Sequence, residues 1–75
     1  MNSLRVRTLQ NNYLDAQIHH ADCVADRARH LSADPPDGDV RWWLEDLRDH
    51  DVRVAAAAQL LERRRRELAA LKVAA

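Results

Sequence analysis

Apolar residues recur at every seventh position through the second half of the chain. No proline or glycine interrupts this stretch. A sustained seven-residue repeat is typical of a long helix whose apolar seam packs against another helix, as in a coiled coil. The repeat therefore predicts a helix over about residues 40–73. Its members are Val40, Leu47, Val54, Leu61, Leu68 and Ala75.

The first half of the chain carries a second helical pattern. Its apolar positions step by four, three, four and three residues, which is the spacing of one helix face. This pattern predicts a helix over about residues 3–33, with Ser3 as its N-cap. The stripe consists of Leu14, Ile18, Ala21, Ala25 and Ala28, with Leu4 on the same line and Leu9, Tyr13, Val24 and Leu31 beside it.

The segment between the two patterns contains both prolines and the only glycine. These residues end helices, so a loop over about residues 34–39 is expected, with Asp37 or Asp39 capping the second helix. A connection this short favours an antiparallel helical hairpin, in which paired residue numbers add up to about 73. This register predicts that Ile18 packs near Val54 and Leu14 near Ala58, all within a single domain, 1–75.

A chain of 75 residues is near the size at which a single core becomes marginal, so a partner chain is expected. Two hairpins would form a four-helix bundle, a homodimer that covers the apolar surface each leaves exposed. Acidic residues gather towards the loop and bases towards the open end, where Arg5, Arg7, Arg63–Arg66 and Lys72 lie. Complementary charge then favours antiparallel association.

The amino-acid composition indicates the kind of organism and the cellular location. The formal net charge is zero, and arginine outnumbers lysine eleven to one. This bias suggests a GC-rich genome, such as that of an actinobacterium or its phage. Neither an apolar segment behind Arg5 and Arg7 nor a membrane-spanning run is found, so a cytoplasmic bacterial or phage protein without membrane partners is expected.

A cluster of histidine, cysteine and aspartate is the main candidate for metal chemistry. His19, Cys23, Asp26 and His30 step by four, three and four residues, and the predicted register brings His50 near Cys23. Zinc accepts such nitrogen and sulfur ligands. The same spacing of histidine and aspartate also arises on a helix face exposed to solvent. The sequence has no paired-cysteine or zinc-protease motif. We therefore expect no metal and no cofactor. The interpretation of these residues as a Cys-His nucleophilic pair has even less support, because no oxyanion-binding site is recognisable in the sequence. We therefore expect that the protein is not an enzyme.

Arg63–Arg66 is the strongest charge feature, and it supports a nucleic-acid-binding regulator as the alternative function. Glu62 and Glu67 bracket the arginines at ion-pair spacing, which favours a solvated face or a contact between subunits.

Trp42 and Trp43 cannot face the same seam, because adjacent helical positions lie about 100° apart. One is expected to pack near His30 or Leu31, and the other to be exposed as an anchor for a partner protein or as a cover over the bundle end. The sequence thus favours a small non-enzymatic interaction module or adaptor. Its expected partner-binding residues are Trp42, Trp43, Arg63, Arg64, Arg65 and Arg66, with a metal-binding helical protein as the third possibility.

Overall fold

The computed structural model describes residues 2–35, 38 and 40–74, and this part of the chain folds as two helices. Helix α1 spans Asn2–Ser32 and helix α2 spans Val40–Ala74. They pack against each other along their lengths in a rod of 60 × 14 × 12 Å, with no strand among these residues. The predicted all-α helical hairpin is confirmed.

Helix α1 runs without interruption from Asn2 through the asparagine pair Asn11 and Asn12. Ser3 therefore lies inside the first turn rather than at the predicted N-cap. At the other end, the Ser32 hydroxyl donates to the carbonyl of Arg29, 2.9 Å away. The backbone N–H of Ala33 donates to the carbonyl of His30. These bonds satisfy carbonyls that the ending helix would otherwise leave without partners.

The turn between the helices depends on Gly38, whose φ of 93° lies in the left-handed region. Side chains rarely tolerate this conformation, so the only glycine of the chain stands where the backbone reverses. The predicted caps, Asp37 and Asp39, lie outside the described residues.

The seam of α2 follows the predicted seven-residue repeat. Leu47, Val54, Leu61 and Leu68 are partly buried, as predicted, whereas Val40 is exposed. Ala75 lies outside the described residues. A second line of positions, three residues from the first, completes the seam of α2 with Trp43, His50, Ala57, Arg64 and Leu71.

Helix α1 contributes a seam with the same spacing but a more polar composition. Its buried or partly buried positions alternate steps of three and four residues. They are Val6, Leu9, Tyr13, Ala16, His20, Cys23, Arg27 and His30. The seven-residue repeat on both helices keeps the two seams in contact along the rod.

This seam lies on a different side of α1 from the predicted stripe. Leu14 and Ile18 are each 53% exposed, and the alanines that continue their line are exposed as well. The predicted contacts of Ile18 with Val54 and of Leu14 with Ala58 are therefore wrong. Histidine and arginine carry apolar or aromatic portions that pack while their polar atoms find partners, so they form a seam that apolar counting overlooks.

The register also differs from the prediction. His30 lies against both Trp43 and His50, with ring centroids 4.9 and 5.1 Å away, and so is level with Leu47. The predicted pairing placed His30 level with Trp43. The helices are thus shifted by about one turn from the predicted register.

The core is thin. Ala16, Cys23 and Ala57 are its buried apolar residues, and no large side chain among the described residues is fully buried. The accessible surface is 6041 Å² for 8.6 kDa. A compact monomer of this mass exposes about 4,700 Å², so the hairpin exposes roughly 1,300 Å² more.

Candidate interaction surfaces

Trp43 is held inside the hairpin near the turn. Its indole stacks on the imidazole of His30 at an interplanar angle of 23°. The Nε2 atom of His30 donates to the backbone carbonyl of Trp43, 2.8 Å away, which places the proton of a neutral imidazole on Nε2. The predicted packing of one tryptophan on His30 is confirmed. The role of Trp43 in partner binding stays a prediction.

The neighbouring Trp42 points the other way. It is 62% exposed, because a step of one residue turns the side chain out of the seam. An exposed aromatic ring of this size is a suitable anchor for a partner protein. Partner binding by Trp42 stays a prediction too.

The candidate metal ligands do not converge. Sγ of Cys23 lies 3.8 Å from Nε2 of His19, whereas His50 lies beside His30. The shift in register accounts for this separation, since it moves His50 one turn away from Cys23. Among the described residues, no group of three or more potential ligands assembles.

The arginine cluster is largely paired within α2. The Arg64 guanidinium donates to both carboxylate oxygens of Glu67 at 3.0 Å. Arg65 and Arg66 both donate to Glu62, at distances of 2.6 to 3.2 Å. The ion-pair spacing read from the sequence is confirmed for these three arginines.

These pairs change the acidity of Glu62. The hydrogen bond from Arg65 is the main cause that lowers the pKa of Glu62 from 4.5 to about 2, and Arg66 adds to the effect. The same pair raises the pKa of Arg65. Among the described residues, Arg63 is the cluster member without an ion pair. Glu62 and Glu67 therefore offset two of the four positive charges of the cluster.

One exposed apolar feature is a stripe on the side of α1 away from the seam. We call it the α1 outer face. Its five members lie at successive stripe positions, and all are exposed: Leu14, Ile18, Ala21, Ala25 and Ala28. The sequence identifies these residues as a stripe but assigns them to the interior of the hairpin.

The α1 outer face is continuous with one edge of the groove between the helices. Nε of Arg27 lies 2.5 Å from Oδ1 of Asp51, and this ion pair marks the edge. On α1, Val24 and Leu31 lie within one turn of Arg27, and both are exposed. On α2, Leu44 lies seven residues before Asp51, and is exposed on the same side. Two exposed apolar groups thus flank the ion pair on α1, and one on α2.

The depressions in the surface are open and shallow. One is lined by five residues of α2 alone, from Gln59 to Glu67. Another lies between the helices and is lined by residues that include Asp15, His19 and Arg64. The described residues include no buried polar or charged side chain. The arrangement offers flat surfaces for another macromolecule and little enclosure for a small molecule.

The fold and these surfaces define an all-α helical hairpin with an unpaired apolar face. No helix of the described residues combines the length and apolar character needed to cross a membrane. No protein-family model, curated protein or solved structure matches the chain.

Proposed function

We propose that the protein is a small non-enzymatic interaction module, or adaptor, that works as a homo-oligomer. The observation that carries this proposal is the α1 outer face, where Leu14 and Ile18 remain more than half exposed. Contiguous exposed apolar surface of this kind marks protein–protein contact sites. The thin core supports the same proposal, because a hairpin of this size gains stability from a second layer of helices.

The character of the surface supports a binding role over a catalytic one. Catalytic groups commonly lie in enclosed clefts where burial and charged neighbours perturb their pKa values. The shifts seen here belong to Glu62 and Arg65, a pair on an open helix surface. An exposed ion pair is the ordinary origin of such shifts.

The nucleic-acid alternative has less support. Phosphate binding depends on unpaired lysine and arginine side chains. Glu62 and Glu67 pair with three of the four clustered arginines, and their two negative charges reduce the four positive charges to a net +2. Two glutamates within the cluster would also repel a phosphate backbone.

Sedimentation velocity over a range of protein concentrations tests the proposal. The expected result is a dimer or higher species at tens of micromolar. A monomer throughout that range contradicts the homo-oligomer. Fluorescence anisotropy with a generic DNA duplex at low and at high salt tests the alternative, which requires tight binding that weakens steeply as salt is added.

A further inference from the structure

We propose that the α1 outer face is the dimer interface, and that it pairs antiparallel with the same face of a second copy of the chain. The two-fold axis passes beside Ala21. This inference rests on the proposed self-association and specifies which surface performs it.

The first argument compares the two sides of α1. Between residues 14 and 28 the α1 outer face is apolar at every stripe position, whereas the seam over the same stretch includes His20, Cys23 and Arg27. Since Cys23 is itself a small apolar group, the contrast rests on His20 and Arg27: the hairpin covers the side of this helix that carries them and exposes the more apolar side. Burial of apolar area drives association, so the exposed side is the one that gains most from a further partner.

The second argument is the available area. The hairpin exposes roughly 1,300 Å² more than a compact monomer of its mass, and stable interfaces bury about 800 Å² on each partner. The excess exposed area of the rod is thus larger than the area that a standard interface buries on one partner.

The third argument is shape. The large side chains, Leu14 and Ile18, stand at one end of the α1 outer face, and the small ones, Ala25 and Ala28, at the other. With the axis beside Ala21, an antiparallel copy brings Ile18 opposite Ala25 and Leu14 opposite Ala28. Large groups then fill the space that small ones leave, as close packing requires. A parallel copy sets large against large and small against small, which leaves a gap.

The fourth argument is charge along one rim of the face. Asp15, Asp22 and Arg29 follow each other at intervals of seven residues, and all three are exposed. A parallel pair sets this rim of one copy against the opposite rim of the other, so Asp15 and Arg29 do not meet, whereas an antiparallel pair sets the same rims together. An antiparallel pair brings Asp15 within one residue of Arg29 at two places and leaves one like pair at Asp22. Arg29 also contacts Asp26 of its own chain, so it bridges two carboxylates. Such exposed charges select the orientation more than they add affinity.

The same rim disfavours a lipid surface as the occupant. Helices that lie on anionic membranes carry lysine and arginine beside their apolar face. Here Asp15 and Asp22 flank the centre of the stripe, so an anionic membrane would be repelled.

The first test substitutes one exposed residue in each helix and measures the oligomer. Ile18→Glu introduces a charge within the α1 outer face, one turn from its centre at Ala21, and we expect dimerisation to weaken roughly tenfold or more. Val52→Glu is the matched control, because Val52 is 64% exposed on α2. It is expected to dimerise like the wild type. Circular dichroism should show equal helicity for all three proteins, since both substituted side chains are already exposed.

The second test determines orientation by disulfide formation in a Cys23→Ala background. A mixture of Leu14→Cys and Ala28→Cys chains should form the mixed disulfide, and Ala28→Cys alone should not form a homodimeric one. Self-linking of Ala28→Cys without the mixed product would indicate a parallel pair and overturn the orientation. A fully dimeric Ile18→Glu protein would overturn the interface while leaving the homo-oligomer intact. A monomeric wild type would overturn both.

Discussion

The imidazole of His30 and the indole of Trp43 form a stacked pair that closes the end of the hairpin beside the turn. Each residue comes from a different helix, and a hydrogen bond from the imidazole to the backbone of α2 accompanies the stack. The indole N–H of Trp43 is buried and has no hydrogen-bond partner among the described residues. The pair therefore joins the two helices through ring packing and through one polar contact, which His30 makes.

The first prediction concerns this pair. Trp43→Ala should lower the free energy of unfolding by about 2 kcal/mol, because it removes a partly buried ring from the seam. Trp43→Phe should lower the free energy of unfolding by less than the loss of buried ring area implies. The substitution also removes a buried N–H donor, and leaving that donor unpaired costs about 1–3 kcal/mol. Urea denaturation measures both. Trp42→Ala is the control, with an expected loss of about 1 kcal/mol or less. A larger loss at Trp42 than at Trp43 would contradict the assignment of the inward ring.

The second prediction uses the run of alanines in α2. Ala57 is 2% exposed, whereas its neighbour Ala56 is exposed. Ala57→Leu should destabilise the hairpin by about 1–3 kcal/mol, because the seam has no space for a larger side chain. Ala56→Leu adds the same atoms in solvent and should change stability little. Thermal unfolding of the two variants at equal concentration measures the difference. Equal melting temperatures would mean that the seam does not pass through Ala57.

The third prediction is a titration. The folded-state pKa of Glu62 is about 2, below its ordinary 4.5. The ion pairs of Glu62 therefore contribute fully to the stability of the fold above pH 4.5. This contribution is lost as the pH falls through about 2. Carbon-detected NMR of the side-chain carboxyl should give a midpoint near 2. Arg65→Gln should raise this midpoint more than Arg66→Gln does, because the bond from Arg65 is the larger cause. The opposite order would show that Arg66 is the main partner.

The fourth prediction concerns the thiol. Cys23→Ala should retain the helical fold, since Cys23 packs in the seam as a small apolar group. Purified protein is expected to hold no stoichiometric zinc, as measured by elemental analysis. Stoichiometric zinc that is lost in both Cys23→Ala and His50→Ala would reverse this expectation and favour the metal-binding alternative.

The sequence was most informative about α2. Leu47, Val54, Leu61 and Leu68 are all aliphatic, so their seven-residue spacing directly identifies the side that packs. The pairing of arginines with Glu62 and Glu67 was equally accessible, because neighbours three or four residues apart on a helix must lie close together.

Helix α1 was harder to interpret, for a physical reason. It carries two stripes with the same three-and-four spacing, and the more apolar one faces solvent. Hydrophobicity alone selects that stripe. Which stripe of α1 packs against α2 depends on contacts between the helices, such as Arg27 with Asp51 and His30 with Trp43. These contacts form in only one register. A turn of a few residues does not determine that register to better than a helical turn, so the position of His50 could not be derived.

The two seams are in contact along the whole length of the rod, and this arrangement affects how the rod opens. Facing seam residues contact their neighbours along the rod, and among the described residues no large side chain is fully buried in a central cluster. The helices can therefore separate at one end while the other end stays paired, so that the rod unfolds locally rather than in one cooperative step. Protection of backbone amides against hydrogen exchange should decline gradually from the middle of each helix towards its ends. A partner that binds one stretch of α1 should therefore slow the separation of the two helices along that stretch first.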